Sequence, residues 1–262
     1  MSAAPVGAKV TPVRDGTRSL PDVQTGEHYL DAADGPMRVY EAIPGLPPAA
    51  AVVVIQEAFG VNPHIEDVTG RCAAAGYHAV APDMFHRTGG GIVDYGDFAA
   101  VVPHFVGIGS DDAILADVDA TLDYLRGLGF ADRRIGIVGF CFGGRVTFLA
   151  AVNRSIGAAV GFYGGGIVTA RFPQFPALVG EVARLDTPWL GLFGDLDQSI
   201  PVDDVEQLRK ALVDAPAPAE VVRYADADHG FHCDAREAYN AAASTDAWAR
   251  TLDWFARHLA AG

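Results

Sequence analysis

Several side chains able to do chemistry each stand directly after a run of β-branched or small apolar residues: Glu57, Arg87, Cys141, Tyr163, Asp195 with Asp197, and His229. A thiol, a carboxylate and an imidazole in that order are the parts of a nucleophilic triad. The imidazole takes the thiol proton and later gives one to the leaving group, and the carboxylate fixes its tautomer and steadies the imidazolium. A thioester intermediate then divides one difficult hydrolysis into two easier steps. The cysteine lies in Ile135-Gly136-Ile137-Val138-Gly139-Phe140-Cys141-Phe142-Gly143-Gly144-Arg145, and an apolar, Ala-rich segment follows. That reads as strand, sharp turn and helix, a nucleophile elbow with cysteine in the place of serine. A cysteine at a helix N-terminus meets partial positive charge, which favours its thiolate. Glycine-rich strand-to-helix turns also occur in dinucleotide-binding folds, and a lone buried cysteine is commonly a small hydrophobe. The stretch lies in mid-chain and lacks G-x-G-x-x-G, so the elbow is the better reading.

Of the two acids, Asp197 completes Gly194-x-x-Asp197 ahead of Ile200-Pro201, whereas Asp195 lies nearer the strand, where a turn or cap role suits it. Asp197 is the preferred triad acid and Asp195 the alternative. His229 competes with an ordinary turn histidine, but it follows the last strand and precedes a long helix. His229, His232 and Cys233, and separately His64-x-Glu66, resemble fragments of metal sites; no Pro-Cys-x-x-Cys accompanies the latter, and no metal is expected. Nothing implies a cofactor, because hydrolysis requires only water.

The elements that position these groups alternate between strands and helices. Met37 to Ile43 reads as a strand, and Ala51 to Gln56 as a strand buried on both faces. A helix from about His64 to Ala75 stops at Gly76, and Tyr77 to Pro82 is the next buried strand. Residues 88–110 are glycine-rich with little pattern and read as an irregular excursion over the sheet, a common form of lid. From Asp111, with Asp111 or Asp112 as N-cap, Ile114, Val118, Leu122 and Leu125 share one helical face. The elbow and its helix to about Asn153 follow, then strands at Ala158–Tyr163, Trp189–Phe193 and Glu220–Tyr224, with a helix from Asp203 to Val213 between the last two. A final helix, with Ser244 as N-cap, carries Trp248, Leu252, Phe255 and Leu259 on one face. This is an α/β chain with a mostly parallel open sheet and helices on both faces. Nucleophile, acid and histidine after successive strands is the α/β-hydrolase order, and ligands in such sheets bind beyond the carboxyl ends of the strands.

A chain of 262 residues with 50% hydrophobic content can bury a sizeable core. Residues 1–24 read as a weakly ordered lead-in with an early edge strand close behind, and 25–262 as one domain. The formal charge of −14 opposes nucleic acid and anionic membranes, so an anionic substrate needs a local basic pocket. No apolar run is long enough to span a bilayer and no secretory signal opens the chain, which points to the cytoplasm. Three cysteines, Cys72, Cys141 and Cys233, form no disulfide framework.

Gln56-Glu57-Ala58-Phe59-Gly60, Pro82-Asp83-Met84-Phe85-His86-Arg87, Gly139-Phe140-Cys141-Phe142-Gly143-Gly144, Gly161-Phe162-Tyr163-Gly164 and His229-Gly230-Phe231 together resemble the dienelactone hydrolase (carboxymethylenebutenolidase-like) family over residues 25 to 260. The resemblance implies a carboxylic ester hydrolase acting on a small ester or lactone that carries a carboxylate, of dienelactone type. It makes Cys141, Asp197 and His229 the triad, and Glu57 the carboxylate that helps deprotonate a thiol otherwise kept protonated and shielded from oxidation. It assigns the oxyanion hole to the N–H groups of Phe142 and Ala58, the first of which any such elbow supplies. It sets Arg87 on the substrate carboxylate, with Phe59, Phe162 and Tyr163 beside the substrate. The chain departs from the family pattern at Cys233, where a second arginine is expected; Arg236, one helical turn on, is a candidate replacement or a surface residue. The rival readings are a hydrolase of another small ester or lactone, a ligand-binding relative without turnover, and a redox sensor pairing Cys141 with Cys233.

Overall fold

The computed structural model describes residues 23–259. All of the 1–24 lead-in except its last two positions therefore lies outside the described residues. Among the described residues eight strands form one sheet: β1 (Gln24–Ala32), β2 (Gly35–Ile43), β3 (Ala51–Ile55), β4 (His78–Pro82), β5 (Ile135–Phe140), β6 (Ala158–Phe162), β7 (Trp189–Gly194) and β8 (Ala219–Tyr224). Their spatial order is β1-β2-β4-β3-β5-β6-β7-β8. The first two pairings, β1 with β2 and β2 with β4, are antiparallel, and the rest are parallel. Every residue of β3 to β7 is buried. Continuous Val and Ile runs suit that setting, because each such side chain taken fully from water stabilises by about 1.5–3 kcal/mol.

Six α-helices among the described residues cover the sheet: α1 (Pro63–Ala74), α2 (Phe98–Ile108), α3 (Asp111–Gly127), α4 (Phe142–Asn153), α5 (Val202–Ala211) and α6 (Ala241–His258). Side chains alternate between faces along a strand. On β5 the Cα of Gly136 faces Phe255 and Leu259 at the end of α6, whereas that of Gly139 faces Gly143 of α4. The two positions differ in parity, so α4 and α6 flank the central strands on opposite faces.

Three local expectations change. The cap of α3 is Ser110, whose hydroxyl accepts from Ala113 N at 3.2 Å. Asp111 and Asp112 instead occupy the first turn, where their charge complements the helix dipole. The cap of α6 is Asn240, whose side chain accepts from Ala243 N at 3.1 Å; Ser244 is buried and bonds His232 Nδ1 at 2.9 Å. Third, the 88–110 excursion is not irregular throughout, since it contains the eleven-residue α2. No single helix among the described residues is long and apolar enough to cross a membrane.

Candidate active site

At the junction of β5 and α4 the backbone of Cys141 is forced to φ 54° and ψ −110°. A non-glycine residue held there costs about 1–3 kcal/mol and persists only where its surroundings over-determine it. They do: Cys141 N–H donates to Phe162 O at 3.0 Å and Gly143 N–H to Gln56 O at 3.1 Å, which pins the turn to β6 and to the end of β3. A Cβ on Gly144 would lie 2.5 Å from Phe162 O and 2.8 Å from Gly164 Cα, so only glycine lets α4 come this close to β6. The sulfur is thereby presented, half-buried, beyond the carboxyl end of the sheet.

His229 arrives on the loop after β8. Its Nδ1 lies 2.6 Å from Asp197 Oδ2. Asp197, 3% exposed, also accepts through Oδ1 from Ser199 N at 2.8 Å and Ile200 N at 3.2 Å. Asp195 points elsewhere, held by Arg223 through Nε at 2.7 Å and Nη2 at 2.8 Å. Asp197 is thus the carboxylate on the imidazole. Burial opposes its ionisation, but the His229 and Ser199 hydrogen bonds prevail and hold it below the usual carboxylate range. Burial likewise opposes a charged His229; its interaction with the Cys141 sulfur and the bond to Asp197 outweigh it and raise the ring to about 10.

These directions give a pH test. A raised histidine stabilises fully below its ordinary value of 6.5 and loses that contribution as pH climbs towards about 10. A depressed carboxylate stabilises above its ordinary 3.8 and loses it as pH falls through the lower folded value. Asp197→Asn is therefore expected to lower the melting temperature more at pH 6 than at pH 10, as scanning calorimetry at the two pH values would show. An equal deficit at both would mean that the pair carries no charge coupling.

Glu57, fully buried at the end of β3, meets Arg236 Nη1 at 3.3 Å through Oε1, while its Oε2 has no partner. Burial raises its pKa, against the pull of Arg236 and His229. The hydroxyl of buried Tyr163 also lies near Glu57 and is pushed well up by burial and by the Glu57 charge. Arg236 lies over Phe59 and Tyr95, its guanidinium carbon 5.8 and 5.7 Å from the ring centres. It is therefore beside Glu57 and not a surface residue. Cys233 is buried with its sulfur 3.2 Å from Tyr95 Oη, and burial pushes its thiol up to about 11. All three cysteines are free. His64 and His232 are buried and burial lowers both, His64 to about 3, so they stay uncharged. Among the described residues no group of three His, Cys, Asp or Glu could hold a metal ion.

A cavity of about 250 Å³ opens at Cys141 between Ala58 and Phe142 on one side and α2 on the other. Neither Ala58 N–H nor Phe142 N–H donates to a protein acceptor among the described residues. The α2 helix supplies Phe98, Val101, Val102 and Phe105 to the wall.

Arg87 is engaged away from this cavity. Its Nη1 and Nη2 grip Asp117 at 2.5 and 2.9 Å, its Nε grips Asp34 at 2.7 Å, and Nη2 also donates to Ala113 O. The guanidinium is neutralised on α3 and does not line the cavity. Phe162 is wholly buried against Phe140, Phe231 and His232. Phe59 supports the wall from behind, against Phe98 and Tyr95, and Tyr163 packs on the His229 ring at 5.1 Å. Sequence reading missed Ser199 and the residues of α2. Ser199 has a legible signal, a serine two places after an aspartate that invites an Asx turn.

The profile of the dienelactone hydrolase family matches residues 37–259. A provisionally named carboxymethylenebutenolidase of Methylorubrum extorquens is 36% identical over 263 residues, covering 98% of this chain and 88% of that protein. The carboxymethylenebutenolidase of Rhodococcus opacus is 30% identical over 216 residues, 80% of this chain and 82% of its own. A crystal structure of a provisionally assigned dienelactone hydrolase from Klebsiella pneumoniae superposes with a TM-score of 0.83 at 38% identity, covering 90% of this chain and 99% of that one.

Proposed function

The chain belongs to the dienelactone hydrolase family, and we propose that it cleaves a carboxylic ester or lactone of dienelactone type through Cys141, His229 and Asp197, by way of a thioester. The observation that supports this most is the hydrogen-bonded His229–Asp197 pair, charge-coupled to a cysteine held in strained elbow geometry. In the first step the Cys141 thiol gives its proton to Glu57 and Sγ attacks the carbonyl carbon. The oxyanion takes hydrogen bonds from the Phe142 and Ala58 amides, which have no competing acceptor. Collapse breaks the ester bond, and His229 Nε2 protonates the departing alkoxide. Water, deprotonated by the same nitrogen, then attacks the thioester; Cys141 leaves, takes back its proton from Glu57, and the acid is released.

Glu57 is placed to start the cycle. A buried carboxylate with raised pKa is a stronger base than an ordinary one, and Arg236 orders it through Oε1. Glu57→Gln is expected to lower kcat/KM by about 10²-fold, within the usual range for a general base, and to flatten the acidic limb of its pH profile. An unchanged limb would remove Glu57 from the proton transfer.

The direct test of the function follows ultraviolet loss of cis- and trans-dienelactone beside p-nitrophenyl acetate release. Turnover of the lactones supports the reading in full. Turnover of the acetate alone keeps the ester hydrolase and removes the named substrate, and hydrolysis of neither contradicts it.

A further inference from the structure

The cavity at Cys141 is walled largely by apolar side chains. Phe98, Val102, Phe105, Phe142, Phe172 and Phe175 stand around it. Two of these, Phe98 and Val102, are 61% and 50% exposed, although Val101 and Phe105, three residues after each on the same helix face, are buried. Large apolar side chains left open to water beside a reactive thiol suit a site that buries an apolar body when occupied.

Two arginines also reach this wall, and they differ. Arg145 is 3% exposed, grips Asp111 through Nη1 at 2.6 Å and Nη2 at 2.9 Å, and donates to Pro176 O. Its charge is answered. Arg171 is exposed, and its guanidinium lies over the Gly165 backbone and donates to Ser199 O. No carboxylate among the described residues forms a salt bridge with it. It stands at the partition between the Cys141 cavity and a second cavity of about 240 Å³ lined by Gly166, Gln198 and Pro201. A cationic fork without a counter-charge, in a chain of formal charge −14, is the local positive site that an anionic substrate needs.

Resting on the ester hydrolase reading above, we infer that the substrate is an ester with an aryl or branched alkyl body, seated against α2 and Phe172, and a remote carboxylate held by Arg171. Arg171 thus takes the place in recognition that Arg87, locked onto Asp34 and Asp117, does not fill.

The test compares four p-nitrophenyl esters that vary body and charge separately: the acetate, the succinate half-ester, the phenylacetate and the half-ester of 1,4-phenylenediacetic acid. Wild type is expected to favour each aryl ester over its alkyl counterpart, and the charged aryl ester over the neutral one, by tenfold or more in kcat/KM. Arg171→Gln is expected to cut the charged-to-neutral ratio about tenfold, mainly through KM. Arg250→Gln, which removes an exposed arginine held by Asp246 on α6, controls for net charge and leaves the ratio as it is. Phe98→Ser is expected to lower the aryl-to-alkyl ratio. A ratio unmoved by Arg171→Gln, or an alkyl preference in wild type, overturns the inference while Cys141-dependent turnover keeps the hydrolase reading. Should wild type hydrolyse none of the four, the hydrolase reading fails and calorimetry with phenylacetate decides the recognition claim. Binding weakened about tenfold by Arg171→Gln upholds it, and no binding overturns it.

Discussion

Cys141→Ala is expected to lower kcat/KM for every ester the protein cleaves by about 10⁴-fold or more, with the fold and melting temperature close to wild type. The loss is that large because the remaining parts act only on an intermediate that the sulfur must first create. In the proposed mechanism the Phe142 and Ala58 amides stabilise an oxyanion, and His229 moves protons for a nucleophile that is no longer there. Removing the side chain is mild structurally, since Cys141 is half-buried and its backbone is held by Phe162 O and the glycines around it. The same substitution withdraws the sulfur that helps raise His229 to about 10, so the imidazole should titrate nearer neutrality in the variant. Histidine NMR shifts followed against pH would read this separately from activity. Activity within tenfold of wild type would mean that another group performs the attack.

Gly144→Ala carries the largest expected effect on stability. The added Cβ would meet Phe162 O at 2.5 Å, Gly164 Cα at 2.8 Å and Gly164 N at 2.9 Å, all backbone atoms of a central strand and the turn after it. No side chain can swing aside to relieve this, so α4 must move away from β6 and take the Cys141 turn with it. A destabilisation of about 3 kcal/mol, at the upper end for overpacking, is expected, which corresponds to roughly 6–12 °C in Tm for a chain of this size. Gly70→Ala in the middle of α1 is the matched control, because nothing lies within 4 Å of its added Cβ. There the gain in helix propensity should stabilise by up to about 1 kcal/mol. Chemical denaturation of both variants tests the pair of signs, and equal effects would show that close approach at Gly144 is not what holds the elbow.

The sheet was legible because five of its strands are buried on both faces and are therefore written as unbroken apolar runs. The elbow was legible because close backbone approach admits only glycine around the strained Cys141. The α2 helix was not, since Phe98 to Ile108 is apolar nearly all round, contains Pro103 and shows no amphipathic period. The partners of Arg87 were not legible for a different reason. Its place after β4 is right for a ligand clamp, but its direction is set by Asp117, thirty residues away on α3, and by Asp34 in the β1–β2 turn. Arg171, in an unpatterned proline-bearing loop, gives no signal until the fold brings it beside Cys141. Charge partners distant in the chain were the part of the site that local pattern could not supply.

The central claim is that Cys141 carries the acyl group, and it is tested most directly by acid-quenching the protein during turnover of p-nitrophenyl phenylacetate and measuring its intact mass. A species heavier by one phenylacetyl group, mapped by peptide analysis to Cys141 and absent from Cys141→Ala, is the predicted result. Turnover with no adduct at any quench time, or an adduct on a different residue, would contradict the mechanism.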